Sequence, residues 1–145
     1  MSPTGRLVLE RSFHFSASHR YWRPEWTEAE NIRAFGRCAN SPAHGHNYRL
    51  IVRVSGEVDP FTGFIVDLPA LDRWVEEAVI DRLDHAHINE ALAEFAPGGK
   101  IPSSENLVLW AVEAIGRMLP QSARLEEVRL AEDDRLGAVW TRRET

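Results

Sequence analysis

The residues with the clearest chemical potential are three histidines whose spacing suits a metal ion. His44 and His46 stand two residues apart in a stretch that alternates polar and apolar residues as a β-strand does. Side chains two apart in a strand leave the same face about 6.6 Å from each other. His19 ends a second alternating stretch, on its apolar face. Two or three imidazoles placed in this way can converge on one divalent metal, which zinc does at about 2.0–2.1 Å from each nitrogen.

Three histidines with no fourth protein ligand describe an open zinc site of the catalytic rather than the structural kind. The sequence contains no Cys-x-x-Cys pair, which favours the same interpretation. The alternative is a half-buried strand whose histidines bond to carbonyl groups or water. His14 falls on the opposite parity from His19, so we expect it at the surface.

Two further elements could move protons. Cys38 precedes His44 by six residues. A free thiol has a pKa near ~8.5, which a nearby cation or metal lowers toward a useful base. The alternative is a small buried hydrophobe, the common fate of a lone cysteine. Asp84 and His85 form the second element, because a carboxylate bonded to an imidazole fixes its tautomer and raises its basicity. The alternative there is a histidine satisfied by the dipole at a helix C-terminus.

The elements that must position these residues follow from the periodicity of the sequence. Apolar alternation predicts strands over residues 6–18, 46–55, 125–133 and 137–142, and a short strand over 64–67. Apolar residues at helical spacing predict helices over 27–35, 69–83 and 103–119, capped by Thr27 and by Ser103 or Ser104. This order predicts an α+β fold, a four-stranded antiparallel sheet with two helices packed on one face. The segment 21–26 is predicted to be a loop that serves as a wall, a lid or simple packing.

Composition sets the class of protein. At 145 residues we expect one domain over 1–145, long enough to bury roughly 68–70% of its unfolded surface. A formal net charge of −5 argues against a broad basic face for nucleic acid. Every basic residue except Lys100 is an arginine, which suits bidentate binding of a small anionic substrate. One cysteine, no long apolar run and no signal-peptide character predict a cytoplasmic protein with no membrane partner.

Several motifs in register carry a family resemblance. They cover nearly the whole chain in order: Phe15-Ser-Ala-Ser-His19, Cys38-x5-His44-Gly-His46-Asn-Tyr48, Gly56 to Gly63, Leu83-Asp84-His85, Ser103 to Asn106 and Ala131-Glu132. The set resembles the signatures of the 6-pyruvoyltetrahydropterin synthase family. The resemblance implies the tunnelling fold, with four strands and two helices per chain. It also implies a homohexamer of two stacked trimers whose active sites lie at subunit interfaces.

The resemblance also implies roles for the matched residues. Zinc (Zn²⁺) would be held by His19, His44 and His46. Protons would be moved by Cys38 as the general base and by a relay of Asp84 and His85 that acts across a subunit interface. The pterin ring would be anchored by Glu132, because a carboxylate accepts two parallel N–H bonds. Ser104 and Glu105 would line the pterin pocket, and capping of the second helix is an equally good role for both.

The activity implied by the resemblance is that of a zinc-dependent lyase on 7,8-dihydroneopterin triphosphate. One branch of the family eliminates triphosphate and yields 6-pyruvoyltetrahydropterin; another, in the queuosine pathway, also expels acetaldehyde and yields 6-carboxytetrahydropterin. The five residues between Cys38 and His44 resemble the first branch, and Val66-Asp67-Leu68 resembles the second. We favour the pyruvoyl product. Arg20, Arg23 and Arg37 are candidates for binding the triphosphate, since they flank site residues.

Two hypotheses from other classes stay open at the level of sequence. One is a metal-dependent hydrolase acting on GTP, like the cyclohydrolases that share the fold; it would release formate. The other is a non-catalytic pterin-binding protein that keeps the fold and stores zinc. The intact set of Cys38, Asp84 and His85 argues against the second hypothesis.

Overall fold

The computed structural model describes residues 3–144 of the chain. Strand β1 spans Leu9–His19, helix α1 spans Glu28–Phe35 and strand β2 spans His44–Ser55. Helix α2 consists of three consecutive segments, Leu68–Val75, Glu76–Ile80 with π-type hydrogen bonds, and Asp81–Leu83. The remaining elements are β3 (Ala86–His87), α3 (Ile88–Ala91), α4 (Ser104–Met118), β4 (Arg124–Ala131) and β5 (Gly137–Thr141). Short 3₁₀ turns occupy Gly36–Ala39 and Ala93–Phe95.

The strands form one mixed sheet in the order β3-β1-β2-β4-β5. The four long strands pair antiparallel, as the alternation predicted, whereas β3 pairs parallel with β1 at Ala17 and Ser18. The α+β prediction is therefore confirmed, but the four-stranded, wholly antiparallel sheet is wrong within residues 3–144. A strand of two residues is too short to leave an alternation pattern, so β3 could not be recognised from the sequence.

The strand predicted over 64–67 is also wrong. The preceding turn does exist: Asp59 accepts backbone N–H groups of Phe61 and Thr62 through Oδ1, at 2.7 and 3.1 Å, and its own N–H donates to Phe64. However, residues 64–67 pair with no strand of the described chain and lead directly into α2. An Asx turn satisfies its own backbone groups locally, so the turn does not require a following strand.

The core lies on one face of the sheet. Alternate residues of β1 and β2 are buried there, including Phe13, Phe15, Tyr48 and Leu50. The inward residues of α2 and α4 belong to the same apolar cluster, among them Leu71, Val75, Leu107, Ala111 and Ile115. The opposite face leaves His14 exposed, as predicted from its parity. Helices α2 and α4 therefore cover the buried face of the sheet.

Both predicted helix caps are present. Thr27 Oγ1 accepts the backbone N–H of Glu30 at 3.1 Å, and Ser103 Oγ accepts that of Asn106 at 3.2 Å. Such a cap contributes about 1 kcal/mol relative to alanine. Ser103 rather than Ser104 is therefore the N-cap of α4, which leaves the Ser104 hydroxyl available for another role.

Two asparagines hold the loop between β1 and α1. Asn89 accepts the backbone N–H of Arg20 at 2.8 Å and donates to its carbonyl at 3.0 Å. Asn31, which is fully buried, does the same for Arg23, at 2.7 and 3.0 Å. The loop is thus anchored at Arg20 and Arg23 by paired backbone hydrogen bonds resembling those between strands. Among the helices of residues 3–144, none has the length and apolarity required to span a membrane.

Candidate metal centre

The three histidines predicted as ligands converge where β1 ends and β2 begins. His19 pairs with His44 in the strand register, and Ala17 pairs with His46. One donor atom from each imidazole lies within 4.8 Å of the others, and the Nε2 atoms of His19 and His44 are 3.1 Å apart. Two nitrogens bound tetrahedrally to zinc lie about 3.4 Å apart. The geometry of the cluster therefore suits a tetrahedral divalent metal.

The histidines are held in the uncharged form that binds metals. Burial, followed by the neighbouring imidazoles of His46 and His44, lowers the pKa of His19 to about 3. Burial is also the largest cause of the lowered pKa of His44 and of His46. Metal ligation requires neutral imidazole, so binding at neutral pH would displace few protons from this cluster.

Several buried polar atoms of the cluster have no hydrogen-bond partner within residues 3–144. They are His44 Nδ1, His46 Nε2 and Glu132 Oε2. Ser104 Oγ, at the start of α4, is unpaired in the same way. Buried polar atoms are normally satisfied, and an unsatisfied group calls for a specific explanation such as an ion or ligand. The donor set of three imidazoles and its unpaired atoms fit the zinc site that the resemblance implies.

Glu132 brings a buried carboxylate to the same place. It follows the last residue of β4, and its Oε2 lies 3.5 Å from His46 Nε2 and 3.9 Å from His19 Nε2. Its side chain is 6% exposed. Burial, followed by the charge of Asp133, raises the pKa of Glu132. A carboxylate with an unpaired, buried oxygen is prepared to accept N–H groups from a ligand.

Two tyrosines lie against His19, and the sequence pattern assigned neither of them a role. The Tyr48 hydroxyl lies 2.8 Å from His19 Nδ1, and the ring of Tyr21 lies 4.6 Å from that of His19. Burial raises the pKa of both phenols. Tyr48 shares the parity of His44 and His46, which could have placed it on the same face. Tyr21 lies beyond the end of β1 and carries no such signal.

Cys38 lies beside this cluster in the 3₁₀ turn Gly36–Ala39. Its carbonyl accepts the backbone N–H of Tyr21 at 2.8 Å, and its side chain is half-buried. Burial, followed by the charge of Glu132, raises the pKa of the thiol. The protein alone therefore disfavours the thiolate. A thiolate at this position needs a positive charge nearby, which a metal ion on the three histidines would provide.

Asp84 and His85 do form a pair, at the edge of the sheet beside β1. Asp84 Oδ2 lies 3.0 Å from His85 Nδ1, and Oδ1 accepts the backbone N–H of Ser16 at 2.9 Å. That bond from Ser16 is the largest cause of the lowered pKa of Asp84. The His85 side chain is 82% exposed and borders a cavity of about 530 Å³ that His46 also borders. In residues 3–144 no hydrogen bond or ion pair joins the Asp84–His85 pair to Cys38.

The remaining predicted residues are placed as follows. Ser104 is buried at the start of α4, and the adjacent Glu105 is exposed. The Glu105 charge contributes to raising the pKa of Glu132, so the two carboxylates lie close enough to interact. His87 is half-buried, and its Nδ1 lies 2.9 Å from Ser18 Oγ.

The three arginines considered for a triphosphate differ in their availability. Arg23 is engaged, since it donates to Glu25 at 2.6 Å and to the Gly99 carbonyl at 2.7 Å. The Arg20 side chain donates through Nε to the Ala39 carbonyl at 2.9 Å, and its guanidinium lies 4.2 Å above the ring of Trp22. Within residues 3–144, its two terminal nitrogens make no hydrogen bond. Arg37 is exposed in the turn next to Cys38.

The fold and the site together define an α+β protein with three histidines that could hold a metal ion. A family model described as 6-pyruvoyl tetrahydropterin synthase matches residues 8–143. The chain belongs to this family and is an enzyme of its type, a lyase. The family resemblance seen in the sequence is thereby confirmed.

Individual relatives agree with the family assignment. The 6-pyruvoyl tetrahydrobiopterin synthase of Pongo abelii is 36% identical over 126 residues, which cover 87% of this chain and 85% of that protein. The structure of Caenorhabditis elegans 6-pyruvoyl tetrahydropterin synthase has a TM-score of 0.84 at 30% identity, over 99% of this chain and 100% of that one. A more distant relative, the dihydroneopterin monophosphate aldolase of Pyrococcus furiosus, is 29% identical over 132 residues, or 91% and 93% of the two chains.

Proposed function

We propose that this enzyme is a zinc-dependent lyase that converts 7,8-dihydroneopterin triphosphate to 6-pyruvoyltetrahydropterin and eliminates triphosphate. The observation that carries the proposal is the convergence of His19, His44 and His46 next to the buried, unpaired carboxylate of Glu132. We assign this activity to a single pterin synthase domain over 1–145 that works in the cytoplasm, without nucleic acid or a membrane as partner.

The three histidines would hold Zn²⁺ and leave one coordination position open to substrate. When bound, the metal supplies Lewis acidity that polarises side-chain oxygens of the substrate and acidifies the adjacent C–H bond. The histidines contribute neutral nitrogens because burial keeps them unprotonated. His19 is fully buried, whereas His44 and His46 keep part of their surface exposed.

Glu132 would orient the pterin ring relative to this centre. Its carboxylate can accept two parallel N–H bonds, from the 2-amino group and from N3 of the ring. The unpaired Oε2 supports this role, because a ligand would then satisfy an atom that the protein leaves free. Ser104, buried with an unpaired hydroxyl, offers a further polar contact, and Glu105 would border the pocket entrance.

Cys38 would take the proton from the substrate side chain, and Asp84 with His85 would return a proton. The thiol lies beside Tyr21 at the metal cluster, whereas the Asp84–His85 pair is largely exposed at the sheet edge. This separation supports a site completed by a neighbouring copy of the chain. We therefore propose a homohexamer, a dimer of trimers, in which each site combines groups from two copies.

Two alternative activities would act on the same pterin ring and differ in the chemistry of the substrate side chain. A 6-carboxytetrahydropterin synthase of the queuosine and deazapurine pathway would use the same elimination and then release acetaldehyde. The aldolase relative indicates that retro-aldol cleavage can occur on this scaffold. The identity with 6-pyruvoyl tetrahydrobiopterin synthases over most of the chain favours the pyruvoyl product.

The test is to incubate the zinc-loaded protein with 7,8-dihydroneopterin triphosphate under anaerobic conditions and to identify the products by mass spectrometry. Triphosphate with a pyruvoyl pterin would support the proposal. Acetaldehyde with a carboxy pterin, or a hydroxymethyl pterin from aldol cleavage, would replace it with the corresponding alternative. Unchanged substrate, together with tight pterin binding, would indicate a non-catalytic pterin-binding protein.

A further inference from the structure

Among the three clustered histidines, His19 is held differently from the other two. Its Nε2 faces the cluster, 3.1 Å from His44 Nε2, and its Nδ1 lies 2.8 Å from the hydroxyl of Tyr48. By contrast, His44 Nδ1 and His46 Nε2 have no partner within residues 3–144. Within residues 3–144, His19 is therefore the one candidate ligand whose two ring nitrogens each face a defined group.

The contact between Tyr48 and His19 bears on where the imidazole proton resides, because a phenol hydroxyl can either donate to Nδ1 or accept from it. A neutral imidazole carries one N–H, and the nitrogen that binds a metal must be the other one. If Nε2 offers its lone pair to the cluster, the proton lies on Nδ1 and needs an acceptor. Such an acceptor fixes the tautomer and the ring orientation of a ligating histidine and raises its basicity.

Tyr48 is itself immobilised by the sheet and the core. Its side chain is fully buried, and its ring stacks on that of Phe15, with centroids 4.8 Å apart and planes inclined by 5°. The stack connects paired strands, because Phe15 and Tyr48 are partners in the β1–β2 register. The hydroxyl cannot follow His19 if that ring rotates, so it selects one orientation of the imidazole.

We propose that Tyr48 is a positioning residue for the metal centre: its hydroxyl oxygen accepts the Nδ1–H of His19 and so directs the Nε2 lone pair into the cluster. This inference rests on the metal site proposed above, but it does not depend on which reaction the enzyme performs. Tyr48 touches neither the metal position nor the substrate in this arrangement. It acts through His19 alone.

The experiment compares the zinc affinity of the full-length parent with that of Tyr48→Phe, by competition with a chromophoric chelator. Phenylalanine keeps the ring that stacks on Phe15 and removes only the hydroxyl. Loss of such a partner lowers metal affinity by about 10–100-fold, and we expect a rise of that size in the zinc Kd. Tyr21→Phe is the matched control, since the Tyr21 ring contacts His19 but no bond joins its hydroxyl to that residue. It should keep the parent affinity.

A second measurement uses the unmodified protein and so does not depend on how a variant folds. Long-range ¹⁵N–¹H NMR of the histidine rings reports which nitrogen carries the proton. We expect His19 to be protonated at Nδ1 in the zinc-loaded protein. We further expect this tautomer to predominate in the metal-free protein and to lose population in Tyr48→Phe.

The outcomes separate this inference from the proposed reaction. An unchanged zinc Kd in folded Tyr48→Phe, or an Nε2-protonated His19 in the zinc-loaded parent, would overturn the positioning role and leave the lyase proposal intact. A parent protein that binds no zinc would overturn both. A positioning role is supported by the predicted loss of affinity combined with the Nδ1 tautomer, whatever products the enzyme releases.

Discussion

Glu132 and Glu126 allow a sharp test of the candidate site, because they are two glutamates of equal burial with opposite surroundings. Each is 6% exposed, and they lie on β4 or directly after it. Glu126 accepts from Ser55 Oγ at 2.6 Å and pairs with Arg6 and Arg124. Glu132 has an unpaired Oε2. Accordingly, the pKa of Glu126 is lowered, first by the bond from Ser55, and that of Glu132 is raised, first by burial.

The substitution Glu132→Gln should stabilise the metal-free protein. A buried polar group without a partner costs about 1–3 kcal/mol, and glutamine removes the charge that makes this cost largest. A gain of 1 kcal/mol raises the Tm of a protein of this size by about 2–4 °C. Because the folded pKa of Glu132 is raised, its carboxylate destabilises the folded state at pH values above the unfolded pKa of about 4.3. The gain should therefore be present at pH 7 and disappear as the pH falls toward 4.

The same substitution should impair function. Glutamine can accept only one of the two N–H groups that a carboxylate accepts, and hydrogen bonds to charged groups contribute about 1.5–3 kcal/mol. We expect kcat/KM to fall by about 10–150-fold. Glu126→Gln is the control: it should lower the Tm at pH 7 through loss of its charged partners, and it should leave kcat/KM at the parent value. Glu126, by contrast, stabilises the folded protein. Because its folded pKa is lowered, this stabilisation is present above the unfolded pKa and is lost as the pH falls.

The assays are thermal unfolding of metal-free protein at pH 4 and pH 7 and initial rates with zinc-loaded protein. The reasoning is refuted if Glu132→Gln loses stability at pH 7 while it retains turnover. In that case the Glu132 carboxylate would be a structural acceptor with partners of its own. If both glutamate variants lower stability equally, the distinction between a satisfied and an unsatisfied carboxylate would be wrong.

Three further substitutions test separate parts of the site. His46→Ala should abolish stoichiometric zinc by elemental analysis while circular dichroism stays unchanged, and His14→Ala, on the exposed face, should retain the metal; zinc in both would contradict the three-histidine centre. Cys38→Ala should lower kcat by about 10²–10⁴-fold with pterin affinity unchanged by fluorescence titration, and full turnover would remove the thiol from the mechanism. Asn89→Ala should cost about 1–3 kcal/mol in urea unfolding by freeing the backbone of Arg20, and faster hydrogen exchange confined to the loop should accompany it.

Much of the fold could be predicted from local sequence. Alternation predicted strands over 6–18 and 46–55, which the structure places at Leu9–His19 and His44–Ser55, and a helical apolar stripe indicated α2 and α4. The caps at Thr27 and Ser103 were visible because a capping hydroxyl bonds a backbone group only three residues away. Interactions of this range involve neighbours in the sequence, so the residue types alone specify them.

The sequence also specified the candidate metal ligands, for a related reason. Strand parity put His44 and His46 on one face and His19 on the inward face of β1, and the structure brings the three together. The thiol is a different case, since a raised pKa for Cys38 arises from burial and from the charge of Glu132. Neither burial nor that distance can be read from the spacing of Cys38 and His44.

What only the tertiary structure decided depends on contacts between distant segments. Strand β3 exists because the turn at His85 places Ala86 beside β1, with φ of 60° at His85 and a bond from its N–H to the Ser16 carbonyl at 2.6 Å. Glu132 reaches the histidines because β4 pairs with β2, and Asn89 holds Arg20 across 69 residues of chain. Parity assigns a side chain to a face, whereas pairing order and register assign its neighbours. Those depend on the packing of the whole core, which no local pattern encodes.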